Sequence, residues 1–168
     1  MENDFTFCPR CATRLEVRIF GHEQRSICPA CGFVHFRDPK VAVIALITCD
    51  QQVLLSRRGV EPQKGKWAIP GGYMDAGEMP EEALRREMRE EMRLELGEVG
   101  FHSFLPMANK RGIVLVFAAT PASQHCEALA AYDDVSEVRW FGRDSLPQPD
   151  QLAFDTTPHL LEIWRREV

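Results

Sequence analysis

The chain has 168 residues, 45% of them hydrophobic, and a formal net charge of −5. That length suits one main domain plus a small appendage, and that hydrophobic share is ample for a core. The acidic balance argues against a general nucleic-acid or membrane surface, no apolar run reaches spanning length, and MENDFTF lacks a signal peptide's basic start and apolar stretch; a cytoplasmic protein is expected.

In chain order the first feature is two matched cysteine pairs, Cys8-Pro-Arg-Cys11 and Cys28-Pro-Ala-Cys31-Gly32, separated by sixteen residues. Two such knuckles supply four thiolates to a tetrahedral zinc. Four cysteine ligands leave no open position for a substrate water, so the expected zinc is structural. Ala12 stands where the second knuckle has Gly32, and Thr13–Phe20 alternates like a strand. The spacing predicts a zinc ribbon over 1–36 and a second domain over 37–168.

Val41–Thr48 is a continuous apolar run, read as a buried central strand. Asp50-Gln51-Gln52 turns the chain into a second strand, Val53–Arg58, which ends in Arg57 and Arg58, candidate phosphate-binding residues. A polar loop, 59–66, leads to a glycine turn, Pro70-Gly71-Gly72, which lets the backbone approach a ligand and offers a carbonyl for coordination.

Pro80 suits a first helical turn, and the pattern predicts a helix from about Pro80 to Met92. With Leu84 at zero on a helical wheel, Met88 and Met92 fall near 40° and 80°, a buried stripe. Glu91, Glu87 and Glu90 fall near about −20°, −60° and −120°, along one edge of it. Like charges at this spacing repel, and a hard divalent cation offsets them. Arg86 is placed to pair with Glu82 and Glu90.

Gly72, Glu78, Arg86, Glu87, Met88, Glu90, Glu91 and Leu94 resemble the Nudix box, with Arg93 departing from the family's glycine. The resemblance implies an α/β/α sandwich, within the α+β class that the mixed elements suggest on their own. It also implies hydrolysis of a diphosphate bond with Mg2+ or Mn2+. Glu87, Glu90 and Glu91, with the Gly71 carbonyl, would be the ligands, and Glu78 would pair with Arg86. The resemblance leaves the general base open between a box glutamate and an acid on a later loop; the later candidates are Glu127, Asp133, Asp134 and Glu137, with Glu137 the best of them for its place before the Trp140 strand.

Further on come strands over Gly112–Ala119 and Glu137–Phe141, a loop over 121–134, and a closing amphipathic helix within His159–Arg166. Cys49 and Cys126 are read as plain small residues. The zinc ribbon, together with stretches such as Ser145-Leu-Pro, resembles the FAD and ADP-ribose pyrophosphatase subgroup. That implies an ADP-linked nucleotide substrate, release of AMP and a phosphorylated product, and a homodimer. Phe104 and Gly72 are candidate substrate contacts. Alternatives are an NADH pyrophosphatase, whose Ser-Gln-Pro-Trp-Pro-Phe-Pro signature is absent, and a nucleotide-sensing regulator without turnover.

Overall fold

The computed structural model describes residues 5–107, 111–123 and 125–167. They form two compact units, Met1–Asp38 and Pro39–Val168.

The first unit is a three-stranded sheet, β1 (Glu16–Phe20), β2 (Glu23–Ile27) and β3 (Val34–His35), in the order β1-β2-β3. Among its described residues only Cys8, Ser26 and Cys28 are buried, and every residue of β1 is exposed. Its two knuckles repeat one pattern. The Cys8 amide donates to the Thr13 carbonyl and the Ala12 amide to the Cys8 carbonyl; the Cys28 amide donates to Phe33 and the Gly32 amide to Cys28. Ala12 and Gly32 both take left-handed backbone, φ 58° and 74°, so alanine occupies a conformation that glycine adopts without strain.

The second unit is built on a seven-stranded mixed sheet. Its strands are β4 (Lys40–Cys49), β5 (Gln52–Arg58), β6 (Trp67–Ala68), β7 (Gly71–Tyr73), β8 (Leu96–Pro106), β9 (Gly112–Pro121) and β10 (Val135–Gly142). The path runs β10-β5-β4-β9-β8, with β6 on β5 and β7 on β4. β4 pairs with β9 in parallel, from Lys40↔Gly112 to Ile47↔Ala119, while its other neighbours are antiparallel. The expected apolar run is thus the central strand. Asp50 and Gln51, both at positive φ, make the two-residue turn into β5.

Strand alternation sends side chains to two cores. Val43, Ala45, Ile47, Leu54, Phe117 and Ala119 pack on one face with Ala83, Leu84, Met88 and Met92 of helix α1 (Pro80–Met92). Leu46, Val53, Leu55, Val114 and Val116 pack on the other with Leu160, Leu161 and Trp164 of helix α2 (Thr156–Glu167). One helix on each face makes the α/β/α sandwich. A short 3-10 turn, Pro149–Gln151, precedes α2.

Two readings need correcting here. Gly71-Gly72 is not a turn but part of strand β7, paired with Ile44 and Val43. Cys49 and Cys126 are not plain small residues: they form a disulfide with Cα atoms 5.7 Å apart, tying the end of β4 to the segment between β9 and β10.

Candidate active site

Helix α1 directs the acids through its buried face. Leu84, Met88 and Met92 are at most 1% exposed. Burial of such a side chain contributes about 1.5–3 kcal/mol. Like-charge repulsion between neighbouring glutamates costs only about 0.2–0.5 kcal/mol per pair, so packing sets the helix and the acids follow. At the amino end Glu82 accepts the Met79 amide at 3.0 Å, so it caps the helix instead of pairing with Arg86 as expected.

Arg86 is the hub. It donates to both oxygens of Glu78 at 2.9 and 3.0 Å, to Glu87 at 2.8 Å, to Glu90 at 3.0 Å, and to the Tyr73 carbonyl at 3.0 Å. Glu78 also accepts the Asp75 amide. The Arg86 hydrogen bonds hold the Glu78 carboxyl below its ordinary range, and the surrounding carboxylates, Glu78 first, raise Arg86 further. One guanidinium thus joins the loop before the helix, strand β7 and two of the acids.

The glycines make room. A Cβ on Gly72 would stand 2.4 Å from the Glu87 carboxyl, and one on Gly71, at φ 141°, would stand 2.1 Å from the Val43 carbonyl oxygen. Any side chain at Gly72 would expel Glu87 from the edge of the site.

Glu91 is 6% exposed, and its Oε2 has no hydrogen-bond partner. Burial first, then the charges of Asp134 and Glu87, push its carboxyl up to about 8, against the opposing pull of Arg58 and a hydrogen bond from the Gly71 backbone. Glu87 is raised as well, by burial and by Glu90 and Asp134, although Arg86 opposes this. A buried carboxylate oxygen with no donor, amid other acids, is a poor site for a lone anion and a good one for a hard cation with oxygen ligands. The residues present therefore fit a divalent metal.

Other candidates lie in different surroundings. Glu137 sits on β10 between Arg57, at 3.4 Å, and Arg139, and so is neutralised by two cations. Asp134 is the acid whose charge bears on both Glu87 and Glu91. It follows Tyr132, whose amide donates to the Glu91 carbonyl at 2.8 Å, and that contact brings the loop to the helix end. Arg57 donates to the Gly65 carbonyl and lies 5.9 Å from the Trp67 ring; Arg58 donates to Pro62 and lies 5.1 Å from the Phe154 ring. Phe104 is 67% exposed on β8, in register with Leu115.

In the first unit the Cys8, Cys11, Cys28 and Cys31 sulfurs all lie within 4.8 Å of one another, with Cys8–Cys31 at 3.6 Å and Cys11–Cys28 at 3.4 Å. A tetrahedral zinc with bonds of about 2.3 Å would hold its sulfurs about 3.8 Å apart, so this cluster could bind zinc.

The mixed sheet with one helix on each face, and an acid-edged helix beside a glycine strand, defines an α/β/α sandwich whose acids could hold a divalent cation. The chain belongs to the Nudix family: the NUDIX domain matches residues 37–161, and the Nudix N-terminal zinc ribbon matches residues 6–37. Members of the family use divalent metals. The chain is 28% identical over 160 residues to the NAD-capped RNA hydrolase NudC of Pseudomonas aeruginosa, covering 94% of this chain and 55% of that protein. It therefore spans about half the length of the first curated relatives it matches. It is 38% identical over 122 residues to an ADP-ribose pyrophosphatase of Methanocaldococcus jannaschii, 70% of this chain and 68% of that one. A Nudix hydrolase structure from Nitrosomonas europaea superposes with TM-score 0.82 at 26% identity, over 97% of this chain and 92% of that chain. The NUDIX domain of Shewanella oneidensis NrtR complexed with ADP ribose superposes with TM-score 0.65 at 26% identity, over 79% and 89%.

Proposed function

We propose that this chain hydrolyses the diphosphate bond of an ADP-linked nucleotide, ADP-ribose or FAD, releasing AMP and a phosphorylated product. The observation that carries this reading is the meeting of Glu87, Glu91 and Asp134 around a carboxylate oxygen without a donor. Glu87, Glu90 and Glu91, with the Gly71 carbonyl, hold Mg2+ or Mn2+. The bound cation supplies charge neutralisation at the phosphates and lowers the pKa of water. Arg86 holds Glu87 and Glu90 in place and links them to Glu78. Asp134, instead of Glu137, takes the proton from the attacking water, because Glu137 is committed to Arg57 and Arg139. Arg58, near enough to favour the Glu91 carboxylate, draws the substrate's phosphates toward the acids.

The ADP-ribose reading is supported by the Methanocaldococcus relative and by the ADP ribose bound to the Shewanella domain. A second reading, an NAD-like substrate, is favoured by the NudC proteins, whose similarity runs across ribbon and domain alike. A magnesium-supplemented panel of ADP-ribose, FAD, NADH, NAD-capped RNA and dinucleoside polyphosphates, with products identified, separates these readings. Fastest release of AMP from ADP-ribose or FAD is the expected result, and tight binding without cleavage of any of them would sink the hydrolase reading.

A further inference from the structure

Helix α1 ends on Arg93 in left-handed backbone, φ 54° and ψ 29°. That conformation disfavours any residue with a Cβ, and it is the position where the Nudix pattern has glycine. The Arg93 amide donates to the Arg89 carbonyl and the Leu94 amide to Met88, so the helix stops here despite the arginine. The side chain does something glycine could not. Its guanidinium lies 5.0 Å from the centre of the Tyr132 ring.

Tyr132 is 43% exposed, so the stack is not a means of filling the core. Its backbone is the first residue of a tight turn, with its carbonyl accepting the Val135 amide at 3.1 Å and Asp133 at φ 52°. Asp134 is the third residue of that turn. On one side the Tyr132 amide is bonded to the Glu91 carbonyl, and on the other the Asp134 carbonyl accepts the Gly59 amide at 2.6 Å. A Cβ on Gly59 would come within 2.7 Å of that same oxygen. The turn is therefore gripped between β5's end and the helix terminus, and the arginine–tyrosine stack closes the grip on the helix side.

We propose that Arg93 and Tyr132 are positioning residues: a cation–π latch that holds the Asp134 carboxylate against Glu87 and Glu91. This rests on the reading of Asp134 given above. Arg93→Gly relieves the backbone and removes the latch, so it separates stability from function. The test measures Mn2+ affinity by calorimetry without nucleotide, kcat and KM for ADP-ribose, and Tm, in Arg93→Gly, Arg93→Lys, Tyr132→Leu, Arg93→Gly/Tyr132→Leu and Asp134→Asn.

Arg93→Gly is expected to keep or raise Tm while Mn2+ affinity and kcat each fall about 2- to 5-fold, the range of an exposed cation–π contact, with KM unmoved. Arg93→Lys should lie between Arg93→Gly and the parent, and the double variant should be no worse than the poorer single one. Wild-type Mn2+ affinity and kcat in Arg93→Gly, or losses that multiply in the double variant, would overturn the latch. If Asp134→Asn is impaired while Arg93→Gly is not, only the latch fails. If Asp134→Asn matches the parent, the role given to Asp134 fails, and the latch with it.

Discussion

The two units arrange their candidate cation ligands in opposite ways. In the ribbon two of the four thiols, Cys8 and Cys28, make up the interior: apart from Ser26, nothing else among its described residues is buried, and Cys11 and Cys31 are exposed. In the second unit the interior comes first, and Leu84, Met88 and Met92 hold a helix whose edge carries the acids. A metal bound to the ribbon is a substitute for a core, as small domains require. A metal bound at the acids draws on order that exists without it. Removing a ligand should therefore have different consequences in the two places.

The largest expected effect is on turnover. Glu91→Gln should lower cation-dependent hydrolysis by two or more orders of magnitude, since metal charge stabilises the transition state by several kcal/mol. The same variant should raise the Tm of the metal-free protein at pH 8, because it deletes a buried charge; a lowered Tm there would break the contrast. Next, chelating zinc, or Cys28→Ser, should abolish amide protection within residues 6–37 while protection of α1 persists, as hydrogen exchange can read directly. If α1 lost protection together with the ribbon, the two sites would not be independent.

A smaller effect is expected from Asp134→Asn, a fall in kcat of about 10²- to 10⁴-fold as for loss of a general base, with Glu137→Gln changing kcat far less. Turnover measurements that rank Glu137 above Asp134 would reverse the assignment. The mildest effect concerns pH. The Glu91 carboxyl rises from 4.5 to about 8 on folding, so its contribution to stability is full below pH 4.5 and is lost as pH climbs to about 8. Thermal melts of the metal-free protein should show that decline, and Glu91→Gln should flatten it.

Helix α1 was legible because three apolar residues at helical spacing define both its limits and the direction of its acids. The central strand was legible from an unbroken apolar run. Other features carried no local pattern. β6 and β7 are too short to show a period, and glycines read as a turn belong to a strand because β4 offers them a free edge. In β8 register shifts between Leu96/Val99 and Phe101/Ser103 break the alternation that would have marked its extent. Cys49 and Cys126 are separated by 77 positions, and only the sheet brings them together. Asp134 at the end of a loop and Glu137 at the start of a strand are only three positions apart in sequence; the bond from Tyr132 to the Glu91 carbonyl distinguishes them, and no spacing rule encodes it. The strain at Arg93 could be read from the residue type, but the Tyr132 ring beside its guanidinium could not.

The parallel pairing of β4 with β9 has a consequence for how the protein is made. Helix α1 lies in the chain between these strands, so the pairing closes a long loop, which slows folding. During synthesis the helix can form early, but its acids face no Asp134 until β9 and the turn beyond it have emerged. The arrangement in which Asp134 bears on Glu87 and Glu91 is thus assembled late. On the proposed reading, the cation site is complete only once the sheet is.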